Sequence, residues 1–320
     1  MTDDIWTIRE TLDWTEGYLE RNGDESPRLS AQWLLSEATH LSRIDLYVNF
    51  DRPLSRDERD VLRGWVRRRA QGEPLQLICG KAPFRYLSLS VRQGVLIPRP
   101  ETEVLVSEAL GELDLSTTVD HMLSSDDGEL LSPSDPEMLR ALDLCTGSGC
   151  IACALASEYR AMEVLALDVS DEACALASEN VVELGLDERV SVVKSDLFSA
   201  LDESDEGTFD LIISNPPYIP HALVTTLEAE VLDFEPALAL DGGDDGLSFF
   251  RCIIDRAPRY LKPDGVLAVE LFEESLIEAA ALARKAGFDR VRIASDLAGR
   301  DRVLIARIPF EEEYHGSTPA

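Results

Sequence analysis

From Arg140 onward the chain repeats one unit, a short apolar run followed by a turn and a helical stretch, and this repetition restricts the fold more than any other feature. Ala141-Leu142-Asp143-Leu144 reads as a strand and Ile151 to Ser157 as a helix. Val164 to Leu167 is the next strand, Asp171 to Leu184 the next helix, and Val190–Val193 and Phe209–Ile213 are two further strands. Gly265 to Val269 is a strand followed by a helix through Lys285, and Val291–Ile293 and Val303–Ile308 close the series. Repeating βα units imply a mostly parallel, doubly wound sheet, here of seven strands. The final two strands are joined only by Ser295 to Arg300, too short for a crossover helix, so they are expected to be antiparallel.

A sheet of this kind binds ligands at the carboxyl ends of its strands. Four successive strand ends carry candidate groups: Asp143, Asp168, Asp196 and Asn215. The first leads into Cys145-Thr146-Gly147-Ser148-Gly149, where glycines allow a ligand to approach the backbone at a helix N-terminus. The dinucleotide pattern is incomplete, with Ala152 at its third glycine. A carboxylate just before these glycines would repel a pyrophosphate and attract an ammonium group, which favours S-adenosylmethionine over NAD. Asp168 suits ribose hydroxyls, since Ser170 or Asp171 can cap the following helix. Asp196 and Leu197 suit an adenine.

The fourth strand runs into Ser214-Asn215-Pro216-Pro217-Tyr218. Each proline fixes its own φ, lacks an N–H donor and keeps the preceding residue out of helical geometry. Two readings follow: a plain strand terminator, or a rigid turn presenting an amide, unpaired carbonyls and an aromatic ring to a planar amine.

Before the sheet, residues 1–75 read as a helical domain. Asp24 to Pro27 separates its first two helices, and a third carries Arg63, Arg67, Arg68 and Arg69. That cluster is either a solvated face or a docking surface for a macromolecule. Residues 76–98 alternate as a β-hairpin linker with Gly94 at its turn, and Pro98 to Glu103 open a helix ending near Leu110. A larger domain that holds the repeating βα units then spans 99–310, interrupted by an acidic, mobile insertion over 111–138 and followed by a tail, 311–320.

Composition narrows the partners. With 30 basic and 61 acidic residues among 320, the formal charge is −31, a field that repels a phosphate backbone. No apolar run reaches membrane-spanning length, Met1 to Asp4 is acidic where a secretory signal is basic, and six scattered cysteines fit reduced thiols. The expected location is cytoplasmic. Cys145, Cys150 and Cys153 have the spacing of a plant-type iron–sulfur site but lack a clear fourth ligand, and the histidines are scattered, so no metal is expected. Asp241 to Gly246 reads as a turn into a helix rather than a calcium loop.

Taken together, Leu96 to Glu103, Asp143 to Gly149, Ser214 to Tyr218 and Glu235 to Gly243 resemble, in order and spacing, the release-factor glutamine methyltransferases (PrmC/HemK). The resemblance covers nearly the whole chain. It implies a class I, Rossmann-like methyltransferase with an N-terminal partner-recognition domain. Such an enzyme uses S-adenosyl-L-methionine to methylate the glutamine of the Gly-Gly-Gln motif in peptide chain release factors. By motif, Cys145 to Gly149 would lie along the methionine of the cofactor, Asp168 on its ribose and Leu197 by its adenine. Asn215, Pro216, Pro217 and Tyr218 would hold the substrate glutamine, with Arg99 and Glu101 nearby. Release factors would be the partners of a monomer without direct nucleic-acid or membrane contact. Related enzymes acting on a ribosomal protein share the core motifs, and DNA adenine methyltransferases share Asn-Pro-Pro-Tyr.

Two departures from the family pattern stand out. Cys145 occupies a position where glycine is common, which is tolerable if its φ is negative, and Phe272 stands where glycine is expected. Chemically, an amide nitrogen is a poor nucleophile. The Asn215 oxygen and Pro216 carbonyl would accept its two N–H groups and aim it, with Tyr218 packed on the amide plane.

Overall fold

The computed structural model describes residues 6–123 and 138–309. Met1 to Asp4, residues 124–137 of the expected insertion and the tail 311–320 lie outside the described residues. The chain divides into two compact units.

One unit takes the chain through Ala82 together with Val91–Gln93 and Leu227–Glu235. It contains α1 (Ile8–Arg21), α2 (Pro27–Thr39), α3 (Arg43–Val48), α4 (Arg56–Arg69) and α5 (Leu75–Cys79). Local chemistry sets their ends. Glu10 N donates to Thr7 Oγ1 at 3.3 Å while Thr7 N donates to Glu10 Oε2 at 3.0 Å, and Ser55 with Glu58 repeats this reciprocal cap on α4. Ile8, Leu12 and Leu19 pack with Leu34, Leu35, Leu62 and Val66, each burial being worth about 2 kcal/mol.

The arginine cluster therefore lies on the fourth helix, because Arg43–Val48 forms a short helix that the sequence pattern does not reveal. Two of its members are structural. Arg69 donates to Asp24 at 2.6 Å and Glu230 at 3.1 Å, and Arg68 donates to Glu73 at 2.7 Å. Arg63 pairs with Asp60 at 2.8 Å, so of these four arginines Arg67 alone is exposed without an acidic partner among the described residues.

The other unit holds Pro83–Ser90, Gly94–Thr226 and the chain from Pro236. Lys81–Phe84 (β1) and Leu87–Ser90 (β2) form a two-stranded sheet. Its turn is at Arg85 and Tyr86 rather than at Gly94, and Arg85 adopts φ 53°. The backbone N–H of Arg85 donates to Glu103 Oε1 at 3.0 Å and its guanidinium to Glu158 Oε2 at 2.6 Å, which holds a left-handed residue that is not glycine.

The main sheet consists of β3 (Leu139–Leu144), β4 (Met162–Asp168), β5 (Val190–Lys194), β6 (Phe209–Ser214), β7 (Leu261–Glu270), β8 (Asp289–Ser295) and β9 (Asp301–Arg307). Their order is β5-β4-β3-β6-β7-β9-β8, as expected a mostly parallel sheet of seven strands. The pairs β7–β9 and β8–β9 are antiparallel, in keeping with the short final connection. Alternation along each strand feeds two cores. Ala141, Val164, Leu211 and Ile213 pack with α7 (Cys150–Glu158) and the start of α6 (Thr102–Leu123). Leu142, Leu144, Ile212 and Leu267 pack with the helices Ser248–Tyr260 and Leu276–Lys285 on the opposite face.

Helix α6 runs to Leu123 instead of ending near Leu110, so it takes in the segment from Gly111 to Leu123. Buried Leu105, Ala109 and Leu113 carry its apolar stripe past Gly111, whose helix penalty of about 1 kcal/mol is outweighed. Arg307, only 4% exposed, adds ion pairs to Glu112 and Asp264, each at 3.0 Å. Among the described residues no helix is long and apolar enough to cross a membrane.

Candidate active site

Strand order reverses between β4 and β6 on either side of β3, and a cavity of about 240 Å³ opens beyond these carboxyl ends. Cys145, Thr146, Gly147, Ser148, Asp168, Asp196, Leu197, Asn215, Pro217 and Arg99 all line it. Asp143, Gly149, Pro216, Tyr218 and Glu101 are not on its wall.

The glycine turn is tightly built. Cys145 has φ 59°, so the condition under which a cysteine is tolerated there without cost is not met, and a residue with a Cβ pays about 1–2 kcal/mol. Gly149 has φ 79°, and a Cβ there would stand 3.2 Å from the Ala177 Cα, so this glycine is required by both conformation and space.

Asp143 lies fully buried behind this turn. Its Oδ2 accepts the Thr146 hydroxyl at 2.6 Å, and its Oδ1 has no close hydrogen bond. Burial pushes its carboxyl up to about 7, offset in part by the Thr146 hydroxyl and the nearby Ala152 amide. Asp143 thus braces the loop from beneath, rather than facing the cavity as a free carboxylate.

Asp168 spans two segments. Its Oδ2 accepts Gly147 N and its Oδ1 accepts Ser170 N, both at 2.9 Å, while Ser170 itself caps α8 (Asp171–Glu183). Each carboxylate oxygen keeps lone-pair capacity for a hydroxyl in the cavity. Leu197 projects at φ 46°, and Ser195 holds that turn by donating to the Leu197 carbonyl at 2.6 Å.

The Asn-Pro-Pro-Tyr turn is anchored at both ends. Asn215 Nδ2 donates to Thr102 Oγ1 at 3.0 Å, which leaves its Oδ1 as an acceptor. The Tyr218 hydroxyl donates to Glu270 Oε1 at 3.0 Å. Burial pushes Glu270 above the usual carboxylate range, while the Thr102 and Tyr218 hydroxyls and the Arg302 charge act in the opposite direction. A second chain segment supports the turn: Ile219 N donates to the Leu240 carbonyl at 3.0 Å and Gly242 N to the Ile219 carbonyl at 2.8 Å.

Thr102, Glu270 and Gly242 are thus site-building residues that sequence reasoning left without roles. Thr102 lies within the Pro98–Glu103 segment, and Glu270 closes an apolar strand with a carboxylate as Asp168 does. Glu101 instead pairs with Arg300 at 3.6 Å. Phe272 has φ −66°, so no glycine is needed there.

Cys150 and Cys153 are buried in the core on α7, and burial pushes both thiols upward, Cys153 to about 12. Among the described residues no cluster of His, Cys, Asp and Glu is arranged to hold a metal. The cavity wall combines Asp168 and Asp196 with apolar Val95, Leu197 and Phe249. This set fits a cofactor with ribose hydroxyls, an aromatic base and a cationic amino acid end better than one with a pyrophosphate.

Comparison with known proteins agrees with this chemistry. The sequence pattern of the PrmC N-terminal domain matches residues 10–80, and that of the methyltransferase small domain matches residues 129–233. A release factor glutamine methyltransferase of Geobacter sulfurreducens is 43% identical over 95% of this chain and 98% of its own length. The corresponding protein of Rhodopirellula baltica is 37% identical over 94% and 96%. The catalytic domain of hMettl16, solved with a MAT2A 3'UTR hairpin, shares the fold with a TM-score of 0.51 at 20% identity, covering 71% of this chain and 77% of that one. Relatives of 37–43% identity that match over nearly the whole of both chains lead to one assignment: the chain belongs to the release factor glutamine methyltransferase family.

Proposed function

We propose that this protein methylates the side-chain amide nitrogen of the glutamine in the Gly-Gly-Gln motif of a peptide chain release factor. The reading draws on the names of its relatives, and one observation of the site carries it. Thr102 takes a hydrogen bond from Asn215 Nδ2 at 3.0 Å, which fixes the side-chain oxygen of Asn215 as the group available to a substrate N–H.

S-adenosyl-L-methionine supplies a methyl group already activated as a sulfonium. Asp168 and Asp196 would hold its polar groups, the Cys145 to Gly149 turn would lie along its methionine and Leu197 would pack on its base. Asn215 Oδ1 and the Pro216 carbonyl would accept the two amide hydrogens of the glutamine, orient the nitrogen and stabilise positive charge as it develops. Pro216 and Pro217 keep the turn rigid and contribute no competing donors. Tyr218 would pack beside the amide, and Arg99 would contact the substrate from the cavity wall. The helical unit would recognise the release factor, in the cytoplasm where that factor acts, and a charge of −31 disfavours DNA as the acceptor.

The test is methyl transfer from labelled S-adenosylmethionine to four candidates: a release factor, the same factor with the motif glutamine replaced, ribosomal proteins and DNA. Label on the intact release factor alone is expected. Equal label on the glutamine-replaced factor, or transfer to ribosomal protein or DNA instead, would overturn the assignment.

A further inference from the structure

His221 and Asp241, 20 positions apart in sequence, meet just beyond the Asn-Pro-Pro-Tyr turn. His221 Nδ1 stands 2.6 Å from Asp241 Oδ2, while Asp241 Oδ1 accepts the Gly243 backbone N–H at 2.9 Å. One carboxylate thus shapes its own loop and reaches across to the segment leaving the turn. The backbones beneath the pair are joined as well. Ile219 and Asp241 form a parallel bridge, and His221 N donates to the Gly243 carbonyl at 2.8 Å. The same loop lines the cavity with Pro236, Leu238 and Ala239. It therefore meets the cavity at one end and the Asn-Pro-Pro-Tyr turn at the other.

Neither side chain is needed by the core. That of His221 is 73% exposed and that of Asp241 33%, so water screens the pair and its effect on global stability is small. Its effect on placement matters more, because a shift of about 1 Å at a reacting group costs far more in rate than in stability. Asp241 and Asp244 are the charged groups that face the imidazole. The hydrogen bond with Asp241, then its charge and that of Asp244, hold His221 above its usual value, while His221 and the Gly243 amide hold Asp241 below the carboxylate range. The charged imidazole therefore favours the joined arrangement: the attraction is fully present below about pH 6.5 and fades as pH rises through the raised value.

We propose that His221 and Asp241 are positioning residues, an ionic clip that holds the exit of the Asn-Pro-Pro-Tyr turn against the loop from Leu240 to Gly243 and so keeps the turn in register with the cavity. This inference rests on the proposed role of the turn. Neither residue need touch the substrate.

The experiment measures single-turnover methyl transfer to release factor by wild type, His221→Ala, Asp241→Asn and the double variant, at pH 6 and pH 9. Asn keeps an acceptor for the Gly243 amide and removes only the charge. At pH 6 each single variant is expected to be about three- to fivefold slower than wild type, with the dissociation constant of S-adenosylmethionine within about twofold. The double variant should be no slower than the slower single one, because a single interaction is lost in all three. At pH 9 wild type and Asp241→Asn should converge to within about 1.5-fold. Hydrogen exchange over residues 215–224 needs no acceptor protein and should be faster in both single variants at pH 6, since the Ile219 and His221 amides donate across the joined segments. Rates within about 1.5-fold of wild type in the single variants at pH 6, losses that multiply in the double variant, or an Asp241→Asn deficit equal at both pH values would each overturn the proposal. A wild-type enzyme inactive on release factor would instead sink the proposed function, and exchange would then decide the clip, with unchanged exchange at pH 6 overturning it.

Discussion

A Cβ placed on Gly242 would stand 2.7 Å from the Cα of Tyr218, so the backbone of one loop is packed directly against the turn formed by another. The Asn-Pro-Pro-Tyr turn is stiff through its prolines, and its location depends on that contact. Gly242→Ala is expected to displace Tyr218 and cost about 1–3 kcal/mol of stability by overpacking. Methyl transfer should fall at least about tenfold while cofactor affinity changes little. Calorimetry with S-adenosylmethionine and a turnover assay check this, and unchanged turnover would show that the turn tolerates the shift.

Asn215→Ala removes the amide that faces the cavity without touching Asp168 or the glycine turn. Turnover should drop by a factor of about 100 or more, with the dissociation constant of S-adenosylmethionine nearly unchanged. Activity within about tenfold of wild type would show that Asn215 does not orient the nucleophile.

Asp168→Ala removes an acceptor for cofactor hydroxyls and also frees Gly147 N, now held at 2.9 Å. Cofactor affinity should weaken by about 10–100-fold, corresponding to roughly 1.4–2.7 kcal/mol. Unchanged affinity in a calorimetric titration would count against the ribose assignment.

Asp143 predicts a pH dependence. Its folded-state value, pushed up to about 7, lies above the usual carboxylate value of about 4. The protonated group therefore favours the fold fully below about pH 4, and that contribution is lost as pH rises through about 7. Asp143→Asn keeps a polar partner for Thr146 but cannot ionise. Urea denaturation without cofactor should find the variant gaining on wild type between pH 5 and pH 8, by on the order of 2 kcal/mol. An equal difference at both pH values would show that Asp143 titrates normally.

Much of the fold is legible in the chain. Apolar runs of strand length alternating with helical stretches specify a parallel sheet, and the six-residue link from Ser295 to Arg300 requires an antiparallel end. Helix α6 was misjudged at its end because Gly111 and the acidic stretch beyond it suggest a break. Leu113 in the core and Arg307 beside Glu112 extend the helix from a distance. The Gly94 turn was misplaced for a similar reason. Arg85 takes the left-handed position because Glu103 and Glu158 hold it, and neither contact is visible in local sequence.

The site shows the same division. By itself the sequence determined which groups stand at the strand ends, because a βα turn places a ligand-facing residue just after each apolar run, and it determined that the Pro216–Pro217 turn is stiff. Only the tertiary structure decided which groups reach the cavity and which support it. It put Asp143 behind the loop, gave Cys145 a left-handed φ of 59° and joined Asn215 to Thr102 across 113 positions of sequence. Stiffness is a property of neighbouring residues, whereas the direction of an amide depends on a hydrogen-bond chain assembled only when distant segments pack together.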